Sequence, residues 1–207
     1  MSHGCTEHGK EGHVCNHGPS SFAESLDEVE FNRSIHAACI SNNLERVRTI
    51  LAKHSRGESP ACALDSAGYT ALHYSSRAGN KEICTWLLNA GADVDAQTPE
   101  LGATPLIRAV QQGHLDVAKL LVSYGASVEV RNSDQENVFH VLAIAASKDN
   151  TVQTPDKTEK WVAMARWLLT KLDKDRRIAM LTALDAKGRR PVDNGSGSLA
   201  TLLTPPS

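Results

Sequence analysis

Apolar residues along the chain follow two nested periods. Over short distances they recur every three or four positions, as in Ile83, Leu87 and Leu88 or Val117, Leu121 and Val122. That spacing predicts helices with one buried face. Over longer distances the pattern itself recurs. Residues 68–94 read GYTALHYSSRAGNKEICTWLLNAGADV and residues 102–128 read GATPLIRAVQQGHLDVAKLLVSYGASV. Gly68 and Gly102, Thr70 and Thr104, Leu72 and Leu106, Gly79 and Gly113, and Gly91 and Gly125 all stand 34 positions apart. One offset shared by five pairs marks a repeat array.

Each unit has a physical reading. A Gly turn leads to Thr70 or Thr104, placed to cap a helix by taking up a free backbone N–H. Pro105 suits the first helical position, where its missing donor costs nothing. The short first helix carries small residues, Ser75 and Ser76 or Ala109 and Val110, which allow close helix approach. Gly79 and Gly113 end it in the left-handed conformation that glycine adopts most readily. A second helix carries the Leu-Leu or Leu-Val pair and ends at Gly91 or Gly125.

Weaker copies align to this template. An earlier unit has Ile35-His36, Ala38 and Cys39 in the small slots, Asn42 for the helix-ending glycine, and Ile50-Leu51. Before it, Ser21-x-x-Glu24 forms a capping box, with Phe22, Leu26 and Val29 on one face. Residues 20–40 read as a helical N-terminal cap. A fourth unit starts at Asp134 with Phe139-His140, and its second helix is expected over Trp161–Leu172. Fourteen extra residues separate the two, and the polar run 147–160, containing Pro155, reads as a surface loop. A fifth, truncated unit starts at Asp185 and closes on Leu199, Leu202 and Leu203, with Gly195-Ser-Gly197 read as flexible tail. The organisation expected is a flexible Cys/His-rich tail over 1–20, an all-α repeat domain over 21–203, and a tail over 204–207.

Turn, helix, turn and helix in about 33 residues resembles the ankyrin-repeat family. The stretches DSAGYTALHYSSRAGN (65–80), DAQT (95–98) and LDEVEFNRSI (26–35) carry the resemblance most closely. The 14-residue insertion and the His-rich start depart from it. The resemblance implies a solenoid of about four and a half stacked helix pairs that binds other proteins through its concave face. Carried over by position, the contact slots are Ser66, Ala67, Tyr69, Arg77 and Ala78 in the second unit, and Glu100, Leu101, Ala103, Gln111 and Gln112 in the third, all expected to be exposed. Tyr69 and Arg77 stand out, because Tyr and Arg are enriched at binding hot spots. Solvated surface is the plain alternative for each.

Composition agrees with this picture. The 207 residues are 41% hydrophobic but only 4% aromatic, as suits thin layers meeting through Leu, Val, Ala and Ser. A formal net charge of -2 argues against non-specific nucleic-acid binding. No apolar run approaches the roughly 20 residues that span a bilayer. The start of the chain lacks the pattern of a secretory signal, and five scattered Cys are expected as reduced thiols in the cytoplasm or nucleus. Residues 156–190 hold ten Lys or Arg against five Asp or Glu, while residues 21–31 hold four acids and no base. A solvated face accounts for this; an acidic partner for the last units is the other reading.

Little points to catalysis. His36, His73 and His140 recur at one repeat slot, whereas a nucleophile and its base need one unique place. They read as turn-bridging imidazoles, and Ile107 holds the same slot in the third unit. Phosphate-loop, zinc-protease and nucleophile-elbow motifs are absent from the sequence. Cys39 and Cys84 read as small buried hydrophobes. Metal chemistry is arguable only in the tail, where Cys5, His8, Cys15 and His17 make up a tetrahedral zinc set. The tight Cys15-x-His17 spacing and the Gly-rich composition support disorder instead. The expected function is therefore non-catalytic protein binding, as adaptor or scaffold, by a chain that is monomeric when free and needs no cofactor. A zinc-responsive regulator and a structural subunit of a larger complex are the alternatives.

Overall fold

Thr104 begins a helix as the spacing predicts: its hydroxyl accepts the Ile107 N–H at 3.3 Å, and Pro105 follows at the first turn. At Thr70 the reciprocal capping bond is made by His73, whose Nδ1 accepts the Thr70 N–H at 3.1 Å. The structure is a computed structural model that describes residues 34–53, 59–148, 155–195 and 197–205. The N-terminal cap with Ser21 and Glu24, and the candidate zinc ligands Cys5, His8, Cys15 and His17, lie outside the described residues.

Ten α-helices and no named strand occur among the described residues. They are α1 (Ile35–Ile40) with α2 (Leu44–Lys53), α3 (Ala71–Ala78) with α4 (Lys81–Asn89), α5 (Pro105–Gln112) with α6 (Leu115–Ser123), α7 (Val138–Lys148) with α8 (Pro155–Thr170), then α9 (Lys174–Thr182) and α10 (Gly197–Leu203). Short 3-10 turns cover Pro60–Cys62 and Pro191–Asn194. The first helices α1, α3, α5 and α7 pack side by side in order, and the Pro191–Asn194 turn takes the next place in that row. The second helices α2, α4 and α6 form the outer row. This is an all-α solenoid.

The core follows the template. Leu72, Ile83, Leu87, Leu106, Leu121, Leu142 and Leu168 are fully buried, as are the small residues Ser75, Ser76 and Ala109 that let neighbouring helices close up. Cys39 and Cys84 are buried as expected, and Cys84 donates to the Ser75 hydroxyl. Asn42 has φ 52°, so the asparagine does take the left-handed slot that Gly79 and Gly113 fill at 77° and 79°.

Three expectations are corrected toward the C-terminus. Pro155 does not sit in a surface loop but opens α8, for the same reason that Pro105 opens α5: a first-turn proline forfeits no intrahelical bond. The insertion therefore goes largely into helix. Relative to α5 and α6, α7 is three residues longer and α8 seven longer, leaving residues 149–154 between them. The helix α9, absent from the template, starts at Asp173, whose carboxylate caps the Arg176 N–H at 2.8 Å. Finally, Gly195 and Gly197 are helix boundaries: Gly195 follows the last 3-10 turn and Gly197 opens α10, which buries Leu199 and Leu203.

Candidate functional site

The turns between units are built alike. Asp65 accepts the Tyr69 N–H at 2.8 Å, Asn132 accepts the Glu136 N–H at 2.8 Å, and Asp185 accepts the Arg189 N–H at 2.8 Å. Such Asx turns let the loop satisfy its own backbone. Imidazoles then tie one turn to the next. His73 Nε2 donates to the Ala103 carbonyl at 3.0 Å, His140 Nε2 to the Arg189 carbonyl at 2.9 Å, and His36 Nε2 to the Ala63 carbonyl at 3.0 Å. The carbonyls only accept, so the Nε2–H tautomer follows in each case. The turn-bridging role read from the sequence is the role found.

Ile107 replaces this imidazole in the third unit, and a groove opens beside it. A cavity of about 530 Å³ lies between α5 and α7, within the size range of ligand pockets. Its apolar lining comes from Leu101, Ile107, Val141, Ile144, Ala145 and Trp161. Asp134 and Glu136 mark the turn end, ahead of α7, and Lys148 and Lys160 the other. With eleven residues in α7, the ends are about 15 Å apart.

The lengthened helices supply that second end. Trp161 packs over Gly113, where an added Cβ would meet its ring at 3.1 Å. The Lys160 ammonium lies 4.5 Å from the centre of the Trp161 ring, a cation–π contact. On the α5 side, Arg108 donates to the Tyr69 hydroxyl at 2.8 Å and to Gln111 at 3.3 Å, while its Nε–H is buried with no partner among the described residues.

The slots carried over by position divide in two. Leu101, Ala103, Gln111 and Gln112 come together around the groove; Glu100 is exposed nearby but does not line it. Ala103 is buried at 4% exposure, against expectation: its N–H donates to Thr98 at 3.1 Å and its carbonyl receives His73, so the turn encloses it. In the second unit Ser66, Ala67, Arg77 and Ala78 are exposed but stand apart from the groove. Tyr69 is half-buried, between Arg108 and the rings of His73 and Tyr74. Tyr74 donates to Asp65, and burial first, then this bond, pushes its hydroxyl up to about 12. Tyr69 thus belongs to a cross-unit cluster.

Ile144 and Ala145 were missed at the sequence level, although they sit where Arg77 and Ala78 sit in α3 and Gln111 and Gln112 in α5. The same positional rule, carried one unit further, finds them. Lys148 and Lys160 lie on the stretches by which α7 and α8 exceed the template helices, whereas Trp161 covers Gly113 as His114 covers Gly79. Among the described residues no three His, Cys, Asp or Glu side chains gather to hold a metal, and no helix is long and apolar enough to cross a membrane.

Comparison with known proteins agrees with the architecture. A family profile described as Ankyrin repeats (3 copies) matches residues 14–98 and 35–132. Human ankyrin repeat domain-containing protein 39 is 42% identical over 91 residues, covering 42% of this chain and 47% of that protein. The mouse B-cell lymphoma 3 protein homolog is 31% identical over 107 residues, covering 52% and 24%. Bovine SMC5-SMC6 complex localization factor protein 1 is 34% identical over 105 residues, covering 50% and 10%. The chain thus spans less than half the length of each of these relatives.

Proposed function

The chain belongs to the ankyrin-repeat family, and from that premise we propose that it is a non-catalytic adaptor or scaffold which seats a protein partner in the groove between its third and fourth units. One observation carries the reading: the variable slots of two successive units, Gln111 and Gln112 with Ile144 and Ala145, line a single concave cavity. Ankyrin repeats generally serve protein–protein interaction, and a stacked array presents such a surface at low ordering cost. The helices and turns around the groove are held by buried packing and by the Asx and imidazole bonds, so little conformational freedom is lost on contact.

Site-specific photocrosslinking tests the location. A photoreactive residue at Gln111 is expected to trap the partner, and one at the exposed Lys119 of outer helix α6 is not. Crosslinking from Lys119 with none from Gln111 sinks the concave-face reading.

A further inference from the structure

Resting on that reading, the geometry points to the chemistry of the partner: a protein segment that sets one branched or aromatic side chain against the accessible Leu101 and Ile144, over a floor made by the buried Ile107 and Trp161, and an acidic side chain against Lys148 and Lys160. The fourth unit's lengthened helices are then the element that determines specificity.

The apolar part follows from Ile107 and Ile144. The first takes a slot occupied by imidazole in three other units, and the second a slot that holds Arg77 and Gln111 elsewhere. Two polar-to-apolar exchanges meet on facing helices in one cavity. Trp161 closes that surface, held in place over the Gly113 turn.

The acidic part follows from charge. Lys148 ends α7 and Lys160 lies near the start of α8, so the extra helical residues bring both ammonium groups to the same end of the groove. Arg108 adds a third positive charge to its wall. The opposite end carries Asp134 and Glu136, the latter also accepting the neutral Asn132 side-chain amide at 2.8 Å, so the groove is positive at one end and negative at the other. Complementary charge of this kind fixes the register of a bound segment more than it adds affinity. A segment acidic on one side of its apolar anchor therefore binds in one direction.

Random linear peptides displayed on phage, panned on the full chain, test the proposal. Enriched sequences are expected to hold Leu, Ile, Phe or Trp with Asp or Glu close by. Both lysines are exposed, so the Lys148→Glu/Lys160→Glu variant is expected to keep its fold. It should bind those peptides about three- to tenfold more weakly, in line with the modest worth of exposed charge pairs. Repanned, it should select Lys or Arg in place of the acid. Ile144→Arg should enrich neither set. If the double variant selects the same acidic peptides, the proposed partner chemistry is wrong while concave-face binding stands. If selected peptides crosslink to Lys119 and not to Gln111, both readings fall. A free chain that sediments as a dimer, dissociated by Ile144→Arg, makes a second copy the occupant and overturns the proposal. So does a screen with no peptide that depends on Ile144.

Discussion

His140 reaches across 49 residues of sequence to place its Nε2 at 2.9 Å from the carbonyl oxygen of Arg189, while its Nδ1 accepts the Asn137 N–H at 3.3 Å. The ring uses both nitrogens and is fully buried as the neutral form. Burial lowers its pKa below the ordinary histidine value, and the same holds for His73.

The sign of the pH dependence follows. The unfolded chain protonates near the ordinary value of about 6.5, while the folded chain resists the proton until lower pH. Between the two the unfolded state binds more protons, so stability falls as pH drops. Urea unfolding from about pH 7 to 5 is expected to show a falling midpoint. His140→Leu should be less stable at neutral pH by about 1–3 kcal/mol, because Asn137 N–H and Arg189 C=O lose their partner, and should show a shallower slope.

Gly113 combines a left-handed backbone with a neighbour in the way. At φ 79° a side chain is strained, and its Cβ would press on Trp161 at 3.1 Å and Lys160 at 3.3 Å. Gly113→Val is expected to cost more than about 1 kcal/mol, read as a lower melting temperature. Gly125, with φ 94° and open space around it, should tolerate alanine at a smaller cost.

Asn137 replaces the capping threonine in the fourth unit and does more. Its side chain accepts the Phe139 and His140 N–H groups at 3.0 and 3.2 Å and donates to the Met180 carbonyl at 2.7 Å, tying α7 to α9. Asn137→Ala leaves these groups buried and unmatched. A loss of about 2 kcal/mol is expected in urea unfolding, and Asn137→Asp should be no milder, because it keeps the caps but sets a buried carboxylate oxygen against the Met180 carbonyl, two acceptors face to face.

The described cysteines should differ sharply in reactivity. Burial pushes the Cys39 thiol up to about 12, with Cys84 adding to the effect, and burial raises Cys84 as well. Cys62 is exposed, its thiol against the Gly91 carbonyl. Maleimide labelling read by peptide mass spectrometry should modify Cys62 in the native protein, and Cys39 and Cys84 only after unfolding.

Units two and three were legible because their punctuation is regular: glycines at left-handed turns and threonines at caps state where each helix begins and ends. The first unit was legible through Asn42, which serves the same backbone conformation. Beyond Lys148 the local signals mislead. A polar run with a proline reads as loop, yet Pro155 stands at the first turn, where a helix tolerates it, and further along the same helix Trp161 and Met164 are buried. The groove was half legible. Leu101, Gln111 and Gln112 follow from repeat position, whereas Lys148 and Lys160 arrive through helix length, which periodicity does not fix.

Ile107 has a second consequence, for how the stack unfolds. In a linear array each unit is stabilised by its neighbours, and cooperativity is limited by the weakest coupling between them. Imidazole bonds join the first unit to the second, the second to the third, and the fourth to the fifth, while isoleucine interrupts the series at the third. The same residue that gives the groove an apolar floor also removes a tie. A partner lodged there would add a further tie between the third and fourth units, beside the 3.0 Å bond from the Ser133 N–H to the Leu101 carbonyl that already joins their turns.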